Sequence, residues 1–133
     1  MSGLAMVFHQ HGHKVTGSDM QSSEVVELLG RKNIPVSIGH SVSSFPGDCD
    51  YVIISAAIPE SNVELVQARK LGKPVLKYAQ ALGQLSETLN TIAISGTHGK
   101  STTSGWTAFA YKNAGLDPSF VIGADVLQLG SGS

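Results

Sequence analysis

A single cysteine, Cys49, occurs among 133 residues. That scarcity excludes an internal disulfide framework and suits a reducing compartment, and nothing near Cys49 in sequence marks it as an activated nucleophile. An excess of either charge is also missing. Nine Lys and Arg stand against ten Asp and Glu, a net charge of -1, which gives no broad electrostatic footprint for nucleic acid or an anionic membrane and points to a small-molecule ligand. No run approaches the roughly 20 apolar residues of a membrane span, and the N-terminus lacks the charged and apolar regions of a signal peptide. A cytoplasmic location is the expectation. No repeat at a solenoid period and no long low-complexity segment is evident. What remains, 41% hydrophobic and 14% charged residues, is the composition of a packed globular protein, and a chain of this length can bury about two thirds of its unfolded surface.

The most informative stretch is Thr91 to Thr103, TIAISGTHGKSTT. The β-branched run Thr91 to Ile94 predicts a buried strand, followed by a glycine turn that opens a helix at Lys100-Ser101. This is the form of a phosphate-binding loop. Gly96 and Gly99 let the backbone turn sharply with its N–H groups inward, and the helix adds its positive dipole end to the same place. Lys100 can reach the β and γ phosphates as a point charge, and the Ser101 hydroxyl is placed to ligate Mg2+. The general pattern G-x-x-x-x-G-K-[ST] would put glycine at position 94, which is Ile94. The loop is therefore the shorter G-T-H-G-K-S. The alternative is a glycine-rich strand-to-helix turn without a ligand, against which stands the order of strand, turn, Lys-Ser and helix.

Elsewhere strands alternate with helices of about ten residues, which predicts a parallel α/β sheet with right-handed crossovers. Leu4, Ala5, Val7 and Phe8 read as the apolar face of a helix ending near Gly12, with no strand before it. Lys14 to Gly17 reads as a strand, then a helix from Ser22 to Lys32 with Val25, Val26, Leu28 and Leu29 inward and Asn33 at its C-terminal end. Ile34 to Ile38 is a strand broken by Gly39-His40, and 41–50 is a surface connection. Tyr51 to Ser55 is continuous rather than alternating, as in a central parallel strand covered on both faces. A helix then begins at Pro59 to Asn62, carries Val63, Leu65, Val66, Ala68 and Leu71, and stops at Gly72. Pro74 to Lys77 reads as a strand, Ala79 to Leu89 as a helix with Leu82, Leu85 and Leu89 spaced by three and four. Lys100 to Ala114 reads as a helix with Trp106, Phe109, Ala110 and Ala114 on its inner side and Gly115 as its stop. Phe120 to Ile122 reads as a last strand, and Gly123 to Ser133 completes no element. In such sheets ligands bind at the carboxyl ends of strands, here Gly17-Ser18-Asp19, Gly39-His40 and Ser55-Ala56-Ala57.

Met-Ser-Gly-Leu-Ala at 1–5, Gly-Ser-Asp at 17–19, Gly-His at 39–40, Ser-Ala-Ala-Ile at 55–58 and Gly-Thr-His-Gly-Lys-Ser-Thr at 96–102 occur in one order. Together they resemble the amino-terminal portion of the Mur ligase family, over essentially the whole chain. The histidine after Gly-Thr and the Gly-Leu-Asp-Pro at 115–118 resemble the branch that joins L-alanine to UDP-N-acetylmuramate. The resemblance implies a Rossmann-like UDP-sugar-binding domain at 1–88 without its first strand, and at 89–133 the beginning of a P-loop ATP-binding central domain. It implies an ATP-dependent ligase with Mg2+ in peptidoglycan precursor synthesis, hence in cell-wall biogenesis, cell shape and cell division. In that chemistry ATP phosphorylates the muramoyl carboxylate, the amine of L-alanine attacks the acyl phosphate, and phosphate leaves. The chain as it stands is expected to be incomplete and not to ligate alone.

Carried onto this sequence, the resemblance implies that Gly96, Thr97, His98, Gly99, Lys100, Ser101 and Thr102 bind ATP. Lys100 would meet the terminal phosphates and serve the transfer, and Ser101 would hold Mg2+. Ser2 and Gly3 belong to a glycine loop facing the uridine diphosphate, and Asp19, His40, Ser55 and Ala56 would contact the nucleotide and its sugar. Blander readings stand beside these. His9, His11 and His13 alternate across Gly12 as a solvated turn rather than a metal site. His98 reads as a phosphate contact or structural residue rather than a catalyst. Asp19 binds a ribose hydroxyl or caps a turn, His40 and Ser55 serve ligand contact or turn geometry, and Trp106 is core. The alternatives in function are a ligase that attaches a recycled peptide to the same UDP-sugar, and a non-catalytic module binding NAD or a regulatory nucleotide.

Overall fold

Short parallel strands paired in register organise the first of two units into which this computed structural model divides. The structure describes residues 1–124, 126 and 129. One unit is Met1 with Thr16–Asn90, the other Ser2–Val15 with Thr91–Ser133. The fold is α/β with parallel strands.

In the first unit β1 (Gly17–Asp19) pairs in parallel with β2 (Val36–Ile38), Ser18 opposite Ser37. Between them runs α2 (Glu24–Arg31). Ser23 caps it, accepting from the Val26 N–H at 3.3 Å, and Glu24 and Glu27 in the first turn complement the helix dipole. Asn33 follows at φ 62°, the left-handed conformation expected of a helix end. The helix turns Leu29 inward, 7% exposed, but Val25 stands 48% exposed, outside the inner face the sequence assigned it. Eight residues make little more than two turns, so the buried stripe is one residue wide. Lys14 to Thr16, expected in a strand, precede the ladder, and Ile34, buried at 1%, anchors the chain before β2.

β3 (Val52–Ile54) pairs in parallel with β4 (Val75–Lys77), joined by α3 (Val63–Lys70), and α4 (Tyr78–Glu87) follows. Asn62 caps α3 by accepting from the Glu64 and Leu65 N–H groups at 3.0 and 3.2 Å. Leu65 and Ala68 are buried, whereas Val63, Val66 and Leu71, expected on the same face, are each more than 40% exposed. The central position expected for 51–55 is not observed: β3 is half-buried and pairs with β4 alone among the described residues. The two pairs form separate two-stranded sheets, since no ladder joins β1 to β3 among those residues.

The second unit contains α1 (Ser2–Gln10) and α5 (Lys100–Asn113). Helix α1, which the sequence reading grouped with residues up to 88, buries Leu4 and Val7 and ends before Gly12 at φ 85°. A 3.3 Å hydrogen bond from the Ser119 hydroxyl to Gln10 Oε1 joins the two stretches of this unit. The strands expected at Thr91–Ile94 and Phe120–Ile122 are not formed: neither segment joins a ladder, and the described residues of this unit supply no strand to pair with.

Helix α5 ends at Ala114 and Gly115, the latter at φ 80°. Its inner face is not the aromatic one. Gly105 and Ala108 are buried, and Ala108 packs in a cluster with Ile122, Leu129, Phe120 and Val126. Trp106, read as core, is 75% exposed, Phe109 is 43% exposed, and Ala110 and Ala114 are also exposed. Small residues win because they let Ile122, Val126 and Leu129 approach closely: a Cβ at Gly105 would lie 3.4 Å from Val126 Cγ2. Each aromatic is one position, about 100° of helix turn, beyond a buried small residue. Residues 125, 127, 128 and 130–133 lie outside the description, so the reading of Gly123 to Ser133 falls largely there. Among the described residues no helix is long and apolar enough to cross a membrane.

Candidate functional site

Two clusters of candidate residues lie in different units. In the second unit the chain turns at Gly96, φ 154°, and again at Gly99, φ 77°, where helix α5 begins. Both values fall where a Cβ is disfavoured, so the turn is built on glycine for backbone reasons. At Gly96 an added Cβ would also meet the His98 carbonyl at 3.4 Å.

Gly99 occupies the N-cap position of α5 and offers no side-chain hydrogen bond to the first helical N–H groups. The first turn carries no acidic residue. The first N–H groups of this 14-residue helix thus have no side-chain acceptor, and their partial positive charge suits an anion. Lys100 lies over the turn, donating from Nζ to the Gly96 carbonyl at 2.6 Å and the Thr97 carbonyl at 3.3 Å. Its ammonium is held within the loop while Thr97, His98, Ser101 and Thr102 stay exposed. The donor set of backbone amides, one ammonium and three hydroxyls fits a phosphate chain with its hard cation.

In the first unit the carboxyl ends of β1 and β2 carry a tighter arrangement. The Ser18 hydroxyl donates to Glu64 Oε2 at 2.5 Å and lies 3.1 Å from His40 Nδ1. His40 Nδ1 is 3.2 Å from the same Glu64 oxygen. The other carboxylate oxygen accepts from the Ser41 N–H and from the Ser44 hydroxyl, both at 3.3 Å. The His40 and Glu64 side chains are 13% and 15% exposed. Asp19 beside this cluster accepts from the Gln21 N–H at 3.2 Å, and Ser55 after β3 accepts from the Ala57 N–H at 3.2 Å, so each also shapes its own turn. Ala56 is exposed in that second turn.

The structure therefore draws His40 into a network with Ser18, which the sequence placed at a ligand-binding strand end, and with Glu64, which the sequence did not single out. Glu64 reads in sequence as an ordinary acidic residue in a first helical turn, and no local pattern announces its partner 24 positions earlier. Ser2 and Gly3 lie at the start of α1, half-buried and buried, in the unit that holds the loop rather than the one that holds Asp19, His40, Ser55 and Ala56. No group of three or more His, Cys, Asp or Glu side chains able to hold a metal occurs among the described residues.

Comparison with known proteins gives concordant results. Residues 1–89 match the model of the Mur ligase family, catalytic domain. A UDP-N-acetylmuramate–L-alanine ligase of Caldicellulosiruptor saccharolyticus is 47% identical over 131 residues, 98% of this chain and 29% of the relative. The enzyme of the same name from Dichelobacter nodosus is 44% identical, over 98% of this chain and 27% of its own length. Among solved structures, a UDP-N-acetylmuramate-alanine ligase from Thermotoga maritima superposes with a TM-score of 0.85 at 29% identity, covering 99% of this chain and 31% of that one. A UDP-N-acetylmuramate:L-alanyl-gamma-D-glutamyl-meso-diaminopimelate ligase from Neisseria meningitides gives 0.83 at 26% identity, over 99% and 42%. The chain thus spans less than a third of the length of these two curated relatives.

Proposed function

This chain belongs to the Mur ligase family, and from that premise we propose that it supplies the nucleotide-binding part of an ATP-dependent ligase joining L-alanine to UDP-N-acetylmuramate in peptidoglycan precursor synthesis. The observation that carries the proposal is the loop at 96–102, two glycines at positive φ before a helix with no side-chain cap, in a chain 47% identical to a protein of that name. On this reading residues 1–88 bind the UDP-sugar, residues 89–133 begin a P-loop ATP-binding central domain, and the protein works in the cytoplasm on cell-wall biogenesis that cell shape and division require.

The loop's own residues define what it does. Backbone N–H groups from Gly96 to Thr102 would hold the phosphate chain, and Lys100 would exchange its Gly96 and Thr97 carbonyl partners for the terminal phosphates. The exchange is cheap because the ammonium already lies over the turn, 2.6 Å from the Gly96 oxygen. Ser101 supplies a hydroxyl for Mg2+, while His98 and Thr97 flank the phosphates. When bound, Mg-ATP supplies the phosphoryl group that turns an unreactive carboxylate into an acyl donor, and Lys100 offsets the charge that spreads over the phosphate oxygens. In the first unit Asp19, His40, Ser55 and Ala56 meet the UDP-sugar at the carboxyl ends of the strands, and Ser2 and Gly3 belong to the same substrate's glycine loop.

The test is phosphate release by a polypeptide of the relatives' length carrying this segment, given ATP, UDP-N-acetylmuramate and one amine at a time. Release with L-alanine is expected. Release with a tripeptide but not with L-alanine would select a second reading, a peptide-recycling ligase, which the 0.83 superposition on the Neisseria structure supports. Release with neither would overturn both.

A further inference from the structure

The proton positions around Glu64 can be deduced from the heavy atoms alone. Ser18 has one hydroxyl proton, and its 2.5 Å contact with Glu64 Oε2 directs that proton from the serine oxygen toward the carboxylate. A carboxylate only accepts. His40 Nδ1 lies 3.1 Å from the Ser18 oxygen and 3.2 Å from Glu64 Oε2, and with the serine proton already committed, both neighbours present lone pairs to it. The ring nitrogen must then carry the proton shared between them. The other carboxylate oxygen accepts from the Ser41 N–H at 3.3 Å, while the single proton of the Ser44 hydroxyl is shared between that oxygen at 3.3 Å and the Ser41 carbonyl at 3.0 Å, so the carboxylate is held from both of its oxygens.

The backbone fixes it as well. Asn62 caps α3 by binding the Glu64 N–H at 3.0 Å, which sets the direction in which Glu64 leaves the helix. We infer that Glu64 is a positioning residue: it locks His40 with its proton on Nδ1, so that Nε2, the ring nitrogen outside this network, meets the ligand as an acceptor for a hydroxyl or imide N–H of the UDP-sugar. The ligand half of this inference rests on the UDP-sugar reading above, and the proton half does not. The effect of Glu64 is to choose between two imidazole tautomers, of which only one can accept at Nε2.

The experiment is a two-bond 1H–15N spectrum of the histidine rings, at a pH where His40 is neutral, in the wild-type chain and in Glu64→Gln, with a titration of UDP-N-acetylmuramate followed by calorimetry. The expected result is an Nδ1–H tautomer for His40 in the wild type and a mixture or the Nε2–H form in Glu64→Gln. Affinity for the UDP-sugar is expected to fall about tenfold, the worth of one lost ligand hydrogen bond. An Nε2–H tautomer in the wild type would overturn the inference with no variant needed, which covers the case in which Glu64→Gln does not fold. An altered tautomer with unchanged affinity would overturn the role toward the ligand. Should the wild type show the Nδ1–H form and no UDP-sugar binding, the proton lock stands and the substrate reading falls.

Discussion

Gly99 and Gly83 show how one residue type serves opposite ends. Neither has an atom within 4 Å of where a Cβ would lie, so a substitution there meets only backbone energetics. Gly99 sits at φ 77°, and Gly99→Ala is expected to cost about 1 kcal/mol. Gly83 lies inside α4 without a positive φ, and Gly83→Ala is expected to stabilise by about 0.5–1 kcal/mol. Urea denaturation of the two variants should show midpoints moving in opposite directions, and equal shifts would contradict the assigned conformations. On the surface, Glu60 and Arg69 form a close ion pair. The hydrogen bond from Arg69, and then its charge, hold the Glu60 carboxyl below its ordinary value. A lowered folded value means stability that is present above the unfolded carboxyl pKa and lost as pH falls through the folded one. Both groups are solvated, so the contribution is small and screened by salt. Carboxyl 13C titration should move the Glu60 midpoint upward in Arg69→Ala, and an unchanged midpoint would refute the pairing.

At the scale of elements, α5 decides how much the sequence could tell. Its start and its stop were legible, because Gly99 and Gly115 are needed for left-handed turns that other residues resist. Its inner face was not, because periodicity weighs large apolar side chains and this helix packs by its smallest. Trp106→Ala is therefore expected to change stability by no more than about 0.5 kcal/mol, as for a solvated side chain. Gly105→Ala should be tolerated, its Cβ meeting Val126 at ordinary distance, whereas Gly105→Leu should cost about 1–3 kcal/mol by overpacking. Thermal melts of the three would check this, and a larger loss for Trp106→Ala than for Gly105→Leu would reverse the assigned face. The strand positions 36–38, 52–54 and 75–77 lie within the segments that hydropathy marked, whereas 17–19 shares only Gly17 with the segment marked at 14–17. Thr91–Ile94 and Phe120–Ile122 have the same β-branched or apolar character and no ladder, since a strand is defined by its neighbour as much as by itself. The site was legible in the same uneven way. The loop at 96–102 is contiguous and announces itself, but Ser18, His40 and Glu64 meet only through tertiary structure.

At the scale of the molecule, the two units hold chemically different sites: a solvated glycine loop before a long helix, and a half-buried His–Ser–Glu network at the ends of parallel strands. The proposed function assigns the first to ATP and the second to the UDP-sugar, and the matched relatives are more than three times as long as this chain. Residues 1–133 by themselves are accordingly expected to bind nucleotide without forming UDP-N-acetylmuramoyl-L-alanine. The most direct test is a backbone 1H–15N titration of the chain with Mg-ATP, in the wild type and in Lys100→Ala. The account predicts shifts concentrated on the amides of Gly96 to Thr103, with affinity lowered about 10- to 100-fold in the variant, as for a lost charge-assisted contact. Shifts spread elsewhere while these amides stay still, or equal affinity in Lys100→Ala, would contradict it.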